Sequence, residues 1–457
     1  MIVMKFGGTS VEDAAAIQRA VEIIRREIPQ QPLVIVSACA GVTSQLLSVA
    51  HLACEGDQDE AYTVLNRLRE RHLSIANELL TEERLEHVQT TIEEKFQELR
   101  NYIQGVFLLG ELTPRSLDAF ASFGEFLSSL LIHQTMIEKQ MPSQLVDART
   151  IMITDGTFTS AQPLMEKISP HVKRTLLPLL QGGKVVVTQG FVGAAEDGST
   201  TTIGRGGSDF SAAIFGAALG ATEIQIWTDV DGMMTADPRV VSSARLIEFI
   251  SYDEASELAY FGAKVLHPRT ILPAVEKKIP VKVLNSLRPE VKGTLIVPTL
   301  DAAKLRSDRN ALMTSIAFKR GIIVINVNSS RMLMAHGFLA KLFSIFAEHE
   351  KSVDVVATSE VSVSLTVDNE NGIDDIVNDL QKIGETRIFR KKAIICIVGE
   401  GMKRTPGIAA RIFGSLAKAG VNVEMVSEGA SEINLTLVVD GRDAETAVQV
   451  LHKDFFS

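Results

Sequence analysis

The chain has 457 residues, 46% hydrophobic and 22% charged, enough to bury full cores in two or three domains and unlike a disordered chain. No apolar run reaches membrane-spanning length, and the start, Met1-Ile2-Val3-Met4-Lys5-Phe6, lacks the basic region and cleavage site of a secretory signal. A net charge of −10 argues against nucleic acid or an anionic membrane as partner, so an anionic substrate would need a local cluster of Lys and Arg.

Ile2 to Phe6 reads as a buried strand running into Gly7-Gly8-Thr9-Ser10, and Val11 to Glu27 then carries apolar residues at helical intervals. This strand, glycine turn and capped helix leave Lys5 at a strand's carboxyl end, where ligands of open α/β sheets gather. The lysine precedes the glycines and no G-x-x-x-x-G-K-[ST] occurs, so the turn is not a Walker P-loop. Leu33 to Ser37 is a second buried strand, closed by Ala38-Cys39-Ala40-Gly41-Val42-Thr43, small residues before a Ser/Thr cap. Two such turns favour a doubly wound α/β sheet. From about Asp57 to Gln104 the sequence is polar and helix-forming, which reads as a helical insertion. After Thr113-Pro114 a further helix sets Glu125 among small and apolar neighbours, an expensive place for a lone carboxylate. Its partner is a substrate amine or a structural arginine.

Leu145-Val146-Asp147, Lys184 to Thr188 and Ile224 to Asp229 are further strand ends. Between the last two lies Thr201-Thr202-Ile203-Gly204-Arg205-Gly206-Gly207-Ser208-Asp209, followed by a small, apolar helix to about Ala218. Glycines admit close backbone approach, a helix starting at Ser208 or Asp209 offers amides to an anion, and Arg205 adds a guanidinium fork. By itself this stretch fits a plain tight loop equally well. Met234 and Arg239 follow in a turn-rich loop, and Lys264 completes a cationic set of Lys5, Arg205, Arg239 and Lys264. His267, before a proline on an apolar stretch, is expected to be structural. Val281 to Leu284 is a last strand before Pro289 and Gly293, the expected linker. The three cysteines, Cys39, Cys54 and Cys396, lie far apart without metal-ligand spacing, which fits a reduced cytoplasm.

Beyond the linker the pattern repeats. Gly337, Ala340, Phe343, Val353, Leu365 and Thr366 return at a constant offset as Gly407, Ala410, Phe413, Val423, Leu435 and Thr436. Each copy reads strand, loop, helix, strand, strand, helix. The second has no closing strand, and an open edge is a liability. Thr314 to Phe318, ahead of the first copy, is expected to fill the gap, so the first module is inserted in the second.

The motifs Lys5-Phe6-Gly7-Gly8-Thr9-Ser10, Phe123-Gly124-Glu125, Thr202-Ile203-Gly204-Arg205-Gly206-Gly207-Ser208-Asp209, Trp227-Thr228-Asp229 and Phe261-Gly262-Ala263-Lys264 resemble those of the aspartokinase family, and the paired tail modules resemble ACT domains. The match runs in order over nearly the whole chain. With no homoserine dehydrogenase following, the single-function, lysine-sensitive subgroup fits best. The resemblance implies an amino-acid-kinase-type doubly wound sheet over residues 1–293, with a helical insertion at about 57–138. It implies two ferredoxin-like α+β ACT modules over 294–457, the first about 320–391, the second about 311–319 plus 392–457.

The implied reaction takes ATP and L-aspartate to ADP and 4-phospho-L-aspartate, the first step towards lysine, threonine and methionine. By position, Lys5 would stabilise the phosphoryl group in transfer and Asp209 would organise Lys5 and the substrate. Glu125 would take the aspartate ammonium and Arg205 its α-carboxylate, with Ser37, Thr43 and Phe191 shaping the pocket. Gly7, Gly8 and Ser208 would give amides to phosphate. Thr228, Asp229, Met234, Arg239 and Lys264 would hold the nucleotide, Met234 standing where the family often has an aromatic residue. Magnesium would travel with ATP without an assigned protein ligand. Met332, Gly337, Phe338, Leu339, Ser352, Val353 and Asp354 match the effector pocket, with lysine favoured over threonine. A cytoplasmic homodimer or larger assembly through the ACT modules is expected. Other amino-acid kinases acting on glutamate, acetylglutamate, carbamate or nucleotides are the rivals within the fold, and an inactive amino-acid sensor is the rival outside it.

Overall fold

A computed structural model describes residues 1–261, 268–298, 313–332, 336–402, 405–429 and 433–456. The chain divides into two compact units, Met1–Met233 with Val265–Ala302 and Met234–Lys264 with Ala303–Ser457.

In the first unit the chain runs β1 (Ile2–Phe6), α1 (Ala14–Glu27), β2 (Leu33–Val36), α2 (Val42–Cys54), α3 (Gln58–Leu79), α4 (Glu82–Leu109) and α5 (Pro114–Glu138). It continues through β3 (Ser143–Leu145), α6 (Met165–Gln181), β4 (Val185–Gln189), the hairpin β5 (Val192–Ala194) and β6 (Thr200–Thr202), α7 (Gly207–Leu219) and β7 (Glu223–Thr228). After β8 (Phe249–Ser251) and α8 (Tyr252–Tyr260), which belong to the second unit, it closes with α9 (Leu272–Glu276), β9 (Val281–Asn285) and β10 (Thr294–Val297). The unit's main sheet has the order β3-β4-β2-β1-β7-β9-β10. All neighbours are parallel except β10, which returns antiparallel on β9. Every residue of β1 and β2 is buried, as a parallel sheet covered on both faces requires. The chain leaves β1 for β2 on one side and reaches β7 on the other, which opens a crevice at the carboxyl ends of these strands.

Helix α1 starts later than the periodicity suggests. Asp13 is its cap, accepting the Ala16 N–H at 2.7 Å, a contact worth about 1 kcal/mol. The insertion is a pair of long helices whose apolar rows, Leu65, Leu68, Ile75 on α3 and Val88, Ile92, Phe96, Leu99 on α4, recur at helical spacing and are buried. His72 lies in the same row against Phe96, and burial pulls its imidazole down to about 4, so it packs as a neutral ring.

Gly293 is not a linker. It lies in the turn that folds β10 back on β9, so the first unit runs past 293. Residues 234–264 join the second unit instead, because Ala236 and Val241 are buried in one apolar cluster with Ile316, Ile395 and Leu437. The boundary at 293/294 is corrected accordingly.

The second unit continues with β11 (Ser315–Asn328), α10 (Phe338–Glu348), β12 (Val356–Thr358), β13 (Ser362–Val367), α11 (Ile373–Gln381), β14 (Glu385–Val398), α12 (Ile408–Lys418), β15 (Val423–Glu428), β16 (Asn434–Asp440) and α13 (Ala444–Phe456). Its sheet has the order β12-β13-β11-β14-β16-β15. Strands β11 and β14 pair from Ser315↔Val398 to Asn328↔Glu385, with bulges around Ile322. Ser315–Arg320 thus fills the edge that the second repeat leaves open. Among the described residues no helix is long and apolar enough to cross a membrane. Cys39, Cys54 and Cys396 are free thiols.

Candidate active site

Two turns are stitched together at the carboxyl ends of β1 and β2. The Ser37 N–H donates to Phe6 O at 3.1 Å, the Ala40 N–H to Gly8 O at 3.1 Å and the Gly7 N–H to Trp227 O at 3.0 Å. Arg71, from α3, spans both turns, donating to Ala40 O at 2.9 Å and to Glu12 O at 2.8 Å. Ser10 does not cap α1: its hydroxyl donates to Ser286 Oγ at 2.8 Å. The cap of α2 is likewise Gly41, at φ +80°, and Thr43 falls inside its first turn.

The third wall is the start of α7. Its cap is Gly206 at φ +74°, a conformation that costs an L side chain about 1–2 kcal/mol, and no side chain caps the helix. Ser208 and Asp209 are therefore first-turn residues, not caps, on the positive end of the helix. Gly190 lets this turn approach: a Cβ there would lie 2.7 Å from Ser208 Cβ. Lys5, 9% exposed, reaches across from β1 to place Nζ 2.6 Å from Asp209 Oδ1.

A cavity of about 510 Å³ opens between these turns and α5. It gathers Lys5, Ser37, Thr43, Glu125, Phe191, Arg205, Ser208 and Asp209. Glu125 is 3% exposed, and its Oε2 has no hydrogen-bond partner among the described residues. Burial pushes its carboxyl up to about 8, against the opposing pull of the Ala38 N–H donated to it. An empty site thus holds Glu125 mostly protonated at neutral pH, and an ammonium beside it would favour the ion. Arg205 is exposed at the rim. The cavity therefore offers an acceptor for an amine and a fork for a carboxylate beside a charge-neutralised lysine. That set suits a small zwitterion next to an anionic group.

Asp118, Leu117, Thr159, Thr202, Leu47 and His51 also line the cavity, and the sequence reading missed them. Asp118 had a signal: it stands two helical turns before Glu125 on α5, hence on the same face. Of the residues expected around the nucleotide, Gly7 and Gly8 flank Lys5, and Thr228 and Asp229 end β7, with the Thr228 hydroxyl donating to Asp229 Oδ1 at 3.1 Å. Met234 and Arg239 belong to the second unit, where Arg239 is paired with Asp237. Lys264 and His267 lie outside the described residues.

In the second unit, Met332, Phe338 and Val353 pack on one apolar cluster with Leu342, Phe346 and Leu365. Gly337, at φ +81°, caps α10, and Leu339 is exposed in its first turn. Ser352 is exposed beside Val353. Asp354 accepts the Tyr260 hydroxyl at 2.6 Å, and burial raises its carboxyl above the usual range.

Residues 1–285 match the amino acid kinase family and residues 395–455 an ACT domain. The chain is 38% identical to the chloroplastic aspartokinase 2 of Arabidopsis thaliana over 99% of its own length and 84% of that protein. It superposes on the crystal structure of Escherichia coli aspartokinase III with aspartate and ADP (R-state) at a TM-score of 0.84. It superposes on that enzyme with lysine and aspartate (T-state) at 0.83, in both cases with 36% identity over all of both chains.

Proposed function

Because the chain belongs to the aspartokinase family and is an ATP:L-aspartate phosphotransferase, we propose that the cavity of the first unit receives L-aspartate, with its residues in distinct roles. The observation that carries this reading is the unpartnered, buried Glu125 oxygen lining the same cavity as Arg205 and the Lys5–Asp209 pair. Glu125 takes the ammonium, Arg205 the α-carboxylate, and Ser37, Thr43 and Phe191 bound the space between them. The β-carboxylate is ionised at neutral pH, so no general base is needed. Its oxygen forms the bond to the γ-phosphorus as the bond to the bridging oxygen of ADP breaks. Lys5 lies where charge on the transferring group can be neutralised, Asp209 fixes its ammonium, and Gly8 and Ser208 supply amides, whereas the Gly7 N–H expected to join them is committed to Trp227 O.

Thr228, the last residue of β7, and Asp229 after it are assigned to the nucleotide. A magnesium ion travelling with ATP would be held mainly by phosphates and water, with no side chain assigned to it. Its chemistry when bound is neutralisation of phosphate charge.

ADP release measured with L-aspartate, with L-glutamate and without acceptor tests the reading, and turnover independent of aspartate would end it. Arg205→Ala should raise the aspartate KM about 30-fold with kcat changed less than threefold, the signature of lost ground-state binding. A twofold or smaller KM change would remove Arg205 from the carboxylate.

In the tail, Met332, Gly337, Phe338, Leu339, Ser352, Val353 and Asp354 form the pocket for a feedback effector, lysine before threonine, with Asp354 facing the ammonium. The reading is supported by the similarity to an enzyme solved with lysine and by the half-buried Asp354 carboxylate. The enzyme then opens the route to lysine, threonine and methionine in the cytoplasm, as a homo-oligomer through its regulatory modules. Titrating the three amino acids against activity decides the effector. Asp354→Asn should raise the lysine concentration for half-inhibition at least tenfold, and an unchanged titration would clear Asp354 of that role.

A further inference from the structure

The structure contains a second carboxylate on α5 with a different task. Asp118 is 1% exposed and accepts three hydrogen bonds, from residues that flank the Arg205 turn. Its Oδ2 accepts the Thr159 N–H at 2.9 Å and the Thr202 N–H at 3.0 Å, and its Oδ1 accepts the Thr202 hydroxyl at 2.5 Å. Thr202 ends β6, three residues before Arg205. Thr159 sits at φ +70°, an unfavourable conformation for a β-branched residue that persists only where its surroundings hold it. The backbone of Thr159 and Ser160 lies against Gly204, whose Cβ position would be 3.5 Å from Thr159 O, and the Ala161 N–H returns to Thr202 O at 3.0 Å. One carboxylate thus pins both segments that frame the start of the Arg205 turn.

We propose that Asp118 is a positioning residue for aspartate binding, fixing Arg205 at a set distance from Glu125. Both acids stand on one face of one rigid helix, two turns apart. Glu125 meets one end of the amino acid directly, and Asp118 places the group that meets the other. Helix α5 acts as the gauge that fits the site to the length of its substrate. This rests on Arg205 gripping the α-carboxylate.

The test is a double-mutant cycle on the full-length enzyme, with KM for aspartate, KM for ATP and kcat measured separately. Asp118→Ala should raise the aspartate KM about tenfold, with the ATP KM changed less than twofold. In the Arg205→Ala background the same substitution should add less than twofold. Asp118→Asn should restore the aspartate KM to within threefold of the parent, because its amide oxygen can accept both N–H groups while its NH2 donates to the Thr202 hydroxyl. Should Asp118→Ala fail to fold, Thr202→Val removes one of the three bonds at constant shape and should raise the aspartate KM about threefold, again without effect on Arg205→Ala.

Full multiplication of the two effects overturns the proposal. So does a lower melting temperature with an unchanged aspartate KM. If Arg205→Ala alone leaves aspartate saturation unchanged, it is the assignment of Arg205 that fails, a different result.

Discussion

Lys5→Ala is expected to lower kcat by about 10³-fold while the aspartate KM moves less than threefold. Removing one preorganised donor from a developing charge costs about 10²–10³ in rate, and a full cation in phosphoryl transfer can cost more. A loss of 10³ corresponds to about 4 kcal/mol of transition-state stabilisation. Lys5 can deliver it because its ammonium is already held 2.6 Å from Asp209 at a strand end, so little reorganisation is needed during transfer. Its removal also leaves Asp209 without its cation in a mostly buried site, so a melting curve must accompany the kinetics. Equal falls in kcat and kcat/KM for aspartate, with a folded protein, support the role. A pure KM effect would place Lys5 in substrate binding and refute it.

Glu125→Gln is expected to raise the aspartate KM about 10²-fold and to abolish its pH dependence. In the empty site the carboxyl keeps its proton up to about pH 8, whereas in the unfolded chain it would release it near 4.5. Two consequences differ in sign. For stability, this group's contribution is complete below about 4.5 and is lost as pH rises through 8. For binding, the ammonium needs the carboxylate, so each aspartate bound below pH 8 expels a proton. The wild-type KM for aspartate should then fall by up to about tenfold per pH unit from 6 to 8 and level off above. Gln has no proton to lose and should give a flat profile at a high KM. A wild-type KM that does not change between pH 6 and 8 would show that Glu125 does not meet the ammonium.

The parts of this fold that are local in sequence could be read from it. The strand at Ile2–Phe6 and the turn after it, the long polar helices and the repeated tail all announce themselves by periodicity and by glycine placement. Glu125 stood out because a carboxylate among small and apolar neighbours demands a partner. The misses have a common physical root in contacts formed across the chain. Asp118 looks like any acidic residue near the start of a helix until β6 folds back to it from 84 residues away. The caps expected at Thr43 and at Ser208 or Asp209 fall two or three residues earlier, because Gly41 and Gly206 adopt left-handed conformations, at φ +80° and +74°, that glycine takes without strain and hydroxyl residues do not. The boundary at 293 failed because Pro and Gly mark hairpins as readily as linkers, and only the pairing of β10 on β9 separates the two.

Strands β11 and β14 each run unbroken through both repeats of the tail, side by side from Ser315↔Val398 to Asn328↔Glu385. Each repeat therefore holds half of both central strands, Val324–Asn328 pairing with Glu385–Phe389 in the first and Ser315–Arg320 with Ala393–Val398 in the second, and the two repeats are joined by the unbroken run of both strands. Such a pair should open as one cooperative block, its amides along Ile323–Val327 and Ile394–Val398 exchanging with solvent at a shared rate. Excising the first repeat would cut both central strands in the middle and leave the Ser315–Arg320 half of the second without a covalent tie to its partner. The duplication visible in the sequence has become indivisible in the protein.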